Sequence, residues 1–68
     1  MKEYWSLEHS QHSEDQGLFP WHISLLSEAV KRNLEDFHHN NRGLNKWQIV
    51  YIGNSIADCD RRMNELRR

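Results

Sequence analysis

The sequence predicts a small α+β fold, a two-layer α/β chain ordered strand, helix, strand, helix, with the helices packed on one face of a small sheet. Three observations predict it. Residues 47–52, Trp-Gln-Ile-Val-Tyr-Ile, are nearly all aromatic or β-branched, which is the composition of a strand. Ile23, Leu26, Val30, Leu34 and Phe37 recur at spacings of three, four, four and three, which is one face of a helix. Ile56, Cys59, Met63 and Leu66 repeat the pattern with spacings of three, four and three.

Taken in order, residues 2–9 read as a first strand, because Trp5 and Leu7 fall on one face of a period-two pattern and Tyr4 on the other. Residues 8–17 (Glu-His-Ser-Gln-His-Ser-Glu-Asp-Gln-Gly) are wholly polar and predict a flexible loop, long for so small a domain. Leu18, Phe19, Pro20 and Trp21 form an apolar knot in which the proline removes a backbone donor. The first long helix is expected over about 24–38, widened on its apolar side by Leu25 and Ala29 and supported outside by Glu28 with Arg32. Asn40, Asn41 and Gly43 are residue types that end helices. An alternative has residues 19–23 as a short extra strand paired back on 2–9.

The strand at 47–52 is apolar on both faces, with Trp47, Ile49 and Tyr51 alternating against Val50 and Ile52, and needs cover on both sides. Gly53 and Asn54 suit a tight connection, and Ser55 with Asp58 three residues on makes a capping pair that starts the last helix near Ile56. Two strands alone are marginal in water, and this one would expose a long apolar edge. The sheet is therefore expected to be completed by dimerisation, or the edge to be offered to another protein.

At 68 residues the chain makes one domain that buries only about 60% of its unfolded surface. Cys59 is its only cysteine, so an internal disulfide is excluded, and its place in an apolar stripe suggests a buried thiol in a reducing compartment. With no apolar run of signal-peptide or membrane-spanning length, the chain is expected to be cytoplasmic and free of membrane. The formal net charge is −1, and neither half is a charged tail: three Lys/Arg face five Asp/Glu up to residue 34, and six face five beyond it.

These features weigh against several functions. The five histidines (His9, His12, His22, His38, His39) lack zinc-motif spacing, so no metal or other cofactor is expected. Serine, cysteine and histidine occur without a nucleophile motif such as Gly-x-Ser-x-Gly, in a chain too short to enclose a substrate, so no enzyme is expected. Gly53-Asn54-Ser55 at a helix start is a single-glycine feature without lysine, which ordinary capping explains. Nucleic-acid binding is kept as an alternative. It would use Arg42, Lys46, Arg61, Arg62, Arg67 and Arg68, although interleaved acids and the negative net charge oppose phosphate contact, and the C-terminal arginines already suit the end of a helix dipole.

Three tryptophans, two tyrosines and two phenylalanines are many large aromatics for so small a core, and tryptophan and tyrosine anchor interfaces. The favoured reading is a non-enzymatic protein-binding module, a small regulatory or inhibitory accessory protein that also self-associates as a homodimer. Its expected contact residues are Phe19, Trp21, Trp47 and Tyr51. The competing structural reading has Phe19 and Trp21 capping the core over the first long helix.

Overall fold

The computed structural model describes residues 3–40 and 47–67, the side chains of 36–40 excepted. Its elements are β1 (Trp5–His9), α1 (Gln11–Asp15), β2 (Trp21–Leu25), α2 (Leu26–Asn40), β3 (Gln48–Gly53) and α3 (Ile56–Leu66). The strands form one antiparallel sheet in the order β2-β1-β3, so the fold is α+β as expected, with β1 at the centre.

The third strand realises the alternative reading, shifted two residues toward the C-terminus. Trp21, Ile23 and Leu25 alternate with His22 and Ser24, a strand pattern that also fits the first turn of the helical stripe drawn through Ile23. The strand wins because β1 lies ready to pair, with Trp5 opposite Leu25, Leu7 opposite Ile23 and His9 opposite Trp21. Pro20, which has no N–H to donate, stays outside the strand, and its carbonyl accepts from the Ser10 N–H at 2.9 Å. Helix α2 consequently starts at Leu26, whose N–H donates to the Tyr4 carbonyl at 3.0 Å, and not at 24.

The polar stretch 8–17 is likewise more ordered than a loop. β1 extends through His9, Ser10 caps α1 by accepting from the Ser13 N–H, and Gly17, at φ +76°, turns the chain where a side chain would be strained.

Pleating divides the sheet into two unlike faces. Leu7, opposite Tyr51, is fully buried on the face that α3 covers. Ser6, Glu8 and Ser24 lie on the other face and are buried too, under α2, so the two long helices cover opposite faces of the sheet and not one face as expected, because the buried polar groups of β1 and β2 give Arg32 of α2 a partner there. There Arg32 of α2 bonds Glu8 Oε1 at 2.7 Å and Ser24 Oγ at 2.8 Å, while Ser24 Oγ also donates to Glu8 Oε1 at 3.1 Å. This polar knot fixes the rotation of α2 about its axis. Ala29 is buried, Leu26, Arg32 and Asn33 are half-buried, and Val30 and Leu34, expected in the core, are exposed. The Phe37 side chain and the proposed helix-ending Asn41 and Gly43 lie outside the described residues, as does Lys2 at the expected start of the first strand.

β3 sits at the sheet edge, and its expected cover on both faces is incomplete: Ile49 and Tyr51 are half-buried, whereas Val50 and Ile52 are exposed. α3 begins at Ile56 as expected, with Ser55 Oγ accepting from the Asp58 N–H at 3.1 Å. Of its apolar stripe Cys59 is fully buried, Met63 half-buried, and Ile56 and Leu66 at the two ends are exposed. Among the described residues no helix is long and apolar enough to cross a membrane.

Candidate functional site

The end of α1 determines where the aromatic knot goes. The Gly17 N–H donates to the Glu14 carbonyl at 3.1 Å and the Leu18 N–H to the Ser13 carbonyl at 2.9 Å, closing the helix with a left-handed residue. The chain then runs across the end of the sheet, held at Pro20 by Ser10, and leaves Leu18 and Phe19 59% and 61% exposed. Trp21 enters β2 and is half-buried. Its ring packs on His9, its cross-strand partner, with centroids 4.5 Å apart and planes at 54°. The His9 Nε2 meets Glu14 Oε2 at 2.9 Å, which ties α1 to the same corner.

The C-terminal end of α3 closes the other side. Leu66 faces the knot, and the Arg67 guanidinium lies 5.4 Å from the centroid of the Phe19 ring, a cation–π arrangement. Glu14, Phe19, Pro20, Trp21, Leu66 and Arg67 together line a groove of about 380 Å³. Its lining is aromatic and aliphatic, with the Glu14 carboxylate and the Arg67 guanidinium beside them. Such a groove can take an apolar side chain or a short chain segment and orient it by charge.

Of the four expected contact residues, the structure brings Phe19 and Trp21 together and places the other two elsewhere. Trp47 stands at the start of β3, half-buried, edge-on to His22 with centroids 6.0 Å apart. Tyr51 ties the sheet to α3: its hydroxyl donates to Asp58 at 3.1 Å to each carboxylate oxygen, and Arg62 lies 5.9 Å from its ring centroid. The Asp58 carboxylate also accepts from Arg61 at 2.7 Å and from the Asn54 N–H at 3.2 Å. These donors, Arg61 first and then Asn54, hold the Asp58 carboxyl below its ordinary range, while the bond to Asp58 pushes the Tyr51 hydroxyl up.

The arginines of the nucleic-acid alternative are occupied where they are described. Arg61 is bonded to Asp58 and Glu65, Arg62 to Glu65 at 3.1 Å, and Arg67 covers Phe19. Arg42, Lys46 and Arg68 lie outside the described residues. Among the described residues no group of three or more His, Cys, Asp or Glu side chains is placed to hold a metal ion.

Sequence reasoning missed three members of the groove, Glu14, Pro20 and Leu66. The signal for Glu14 was present in Ser10 as a cap four residues before it, which would have made 11–15 a helix. Leu66 was already assigned to an apolar stripe, and only its exposure marks it as surface. No protein-family model, curated protein or solved structure matches this chain, so the site is defined by its own geometry.

Proposed function

We propose that this chain is a non-enzymatic protein-binding module, a small regulatory or inhibitory accessory protein, and that its contact surface is the groove between residues 18–21 and the end of α3. The observation that carries the reading is the exposure of Leu18 and Phe19 beside the half-buried Trp21, on backbone pinned at Ser10 and Ser13. Apolar residues exposed side by side and held in place are costly unless covered, and aromatic anchors in a shaped recess are where interface energy concentrates. Glu14 and Arg67 in the lining offer charges of both signs to polar groups of a partner segment. A reducing, cytoplasmic setting fits the single buried Cys59.

The test is affinity capture from cell lysate, followed by titration of whatever is captured, comparing the natural chain with Phe19→Ser and Leu66→Lys. Both positions are exposed, so circular dichroism should show unchanged folding. Each variant should weaken binding at least about thirtyfold, the loss expected of an interface anchor. Equal binding by all three chains would remove the groove from the reading.

A further inference from the structure

We infer that the groove takes an acidic apolar chain segment of another protein: a large apolar side chain seated among Phe19, Trp21 and Leu66, and an aspartate or glutamate beside it bonded to the Arg67 guanidinium. Such a partner presupposes that the groove is the contact surface proposed above.

The apolar part of the lining is open and held in place. Phe19 is 61% exposed and Leu66 41%, while Trp21 is half-buried with its ring backed by His9 at 4.5 Å between centroids. The volume of about 380 Å³ lies at the small end of the range of about 300–1,000 Å³ for ligand pockets, room for one or two side chains of a segment and not for a broad surface.

The two charged members of the lining are not equally available. Glu14 Oε2 is engaged by His9 Nε2 at 2.9 Å. Arg67 is exposed, and among the described residues no acid pairs with it, whereas Arg32, Arg61 and Arg62 are each bonded to one. Its guanidinium lies 5.4 Å from the centroid of the Phe19 ring, which sets the charge at the apolar surface and leaves its N–H groups for an acceptor. A carboxylate is the planar acceptor that matches the guanidinium fork. Terminal carboxylates are captured in nests of backbone donors, but here the Glu14 and Arg67 N–H groups are spent on the Ser10 and Met63 carbonyls and Pro20 has none, so an acidic side chain within the segment is the better match. A nucleic-acid strand fits less well, because its phosphates need several cations and this lining offers one, next to the Glu14 carboxylate.

The experiment is selection from a random heptapeptide library displayed on phage, with the natural chain as bait and Phe19→Ser as the counter-selection, followed by fluorescence anisotropy on the enriched peptides made synthetically. Peptides whose binding needs Phe19 should carry an aspartate or glutamate next to, or one residue from, a leucine, phenylalanine or tryptophan. Changing that acid to its amide should weaken binding about tenfold, Arg67→Gln should do the same, and the two together should cost little more than either alone, because both remove one charged hydrogen bond. Arg67 is exposed at the end of α3, so circular dichroism should be unchanged, and the peptide half of the cycle does not depend on folding at all. Glu14→Gln should leave binding of the acidic peptide equal or tighter. Phe19-dependent peptides without the acid, or losses that simply add, overturn this partner and leave the groove standing. A library that yields no Phe19-dependent peptide overturns the groove and the partner together. A tenfold loss on amidating the peptide C-terminus would assign Arg67 to a terminal carboxylate, and an oligothymidylate that binds more tightly than any peptide, through Phe19 and Arg67, would assign the groove to nucleic acid; either result overturns the acidic side chain.

Discussion

Replacing Arg32 by alanine should be among the most damaging single changes in this protein, although the helical period places the residue on the solvent side of α2: the helix is turned so that Arg32 reaches the sheet while Val30 and Leu34 stand in solvent. The Glu8 side chain is 0% exposed on the central strand. Its Oε1 accepts from Arg32 and Ser24, and among the described residues its Oε2 has no partner within hydrogen-bonding distance. Removing the guanidinium leaves a buried carboxylate held by one hydroxyl, and breaking a buried pair in this way costs about 3–5 kcal/mol. Because the Arg32 side chain is 42% exposed, water can replace part of what is lost, so the lower end, about 3 kcal/mol, is expected. A chain of this length is stable by roughly 3–10 kcal/mol in total, so Arg32→Ala should remove about a third of that stability or more. The informative companion replaces the whole knot with apolar groups, Glu8→Leu with Arg32→Met and Ser24→Ala, so that no hydroxyl or charge is orphaned. Buried ion pairs replaced in this manner are commonly neutral or stabilising, so the triple variant should recover to within about 1 kcal/mol of the natural chain or exceed it. Urea unfolding followed by circular dichroism measures both. A loss below about 1 kcal/mol for Arg32→Ala, or a triple variant no better than the single one, would show that the knot is not an isolated buried charge pair.

A Cβ added at Gly53 would lie 2.7 Å from Asp58 Oδ2 and 3.2 Å from Asp58 Cβ, and Asp58 is held in place by Tyr51, Asn54 and Arg61. Gly53→Ala should therefore cost about 2 kcal/mol, lowering Tm by roughly 10 °C, and a thermal-melt cycle with Asp58→Gly should show that cost largely relieved. Purely additive melts would refute the clash. The Asp58 carboxyl is held below its ordinary value of 3.8, so its contribution is complete above that value and is lost as pH falls through the lowered one; Asp58→Asn should flatten this acid limb in melts taken across the acid range. The Tyr51 hydroxyl is raised above 10.0, so its contribution is present below pH 10 and lost as pH rises through the higher value, a limb that Tyr51→Phe should remove. Burial pushes the Cys59 thiol up and removes it from solvent, so reaction with a water-soluble disulfide reagent should be slow in the native chain and become fast with the urea transition.

The parts of the fold that were legible in the sequence are those decided locally. Ser55 and Asp58 announced the start of α3, and the β-branched run through Ile49 and Tyr51 announced β3. The parts that were not legible depend on which of two local patterns a distant neighbour rewards. Ile23 and Leu25 satisfy both a period of two and a period near three and a half, and pairing with Leu7 and Trp5 decides for the strand. The same dependence misplaced the inner face of α2. Its apolar period ran through Val30 and Leu34, but the helix is rotated so that Arg32 reaches Glu8, 24 residues away, and nothing in the spacing of either residue marks the pair. At the site, Phe19 and Trp21 were legible as aromatics near a proline, whereas the walls supplied by Glu14 and Leu66 required knowing that α1 and the end of α3 meet there. Trp47 and Tyr51 shared the aromatic signal without sharing the place.

The distribution of apolar surface links stability to association. Among the described residues only Leu7, Ala29 and Cys59 are fully buried apolar side chains, while Val30, Leu34, Val50, Ile52 and Ile56 are exposed. A domain that keeps so little of its apolar content from water is stable by a small margin, and whatever covers the remainder adds to that margin by mass action. If a second copy covers that surface, the melting temperature must rise with chain concentration. At a concentration one hundred times the dissociation constant the folded state gains about 2.7 kcal/mol, which at this size corresponds to a shift of more than 10 °C. Melts across a hundredfold range of concentration should therefore move upward if chains associate through this surface and stay fixed if they do not. A melting temperature independent of concentration, in a chain that light scattering shows to be a dimer throughout that range, would place the dissociation constant below it and call for greater dilution. Independence in a chain seen to pass from dimer to monomer would mean that association adds nothing to the fold, and the exposed apolar residues would then need a different physical reason.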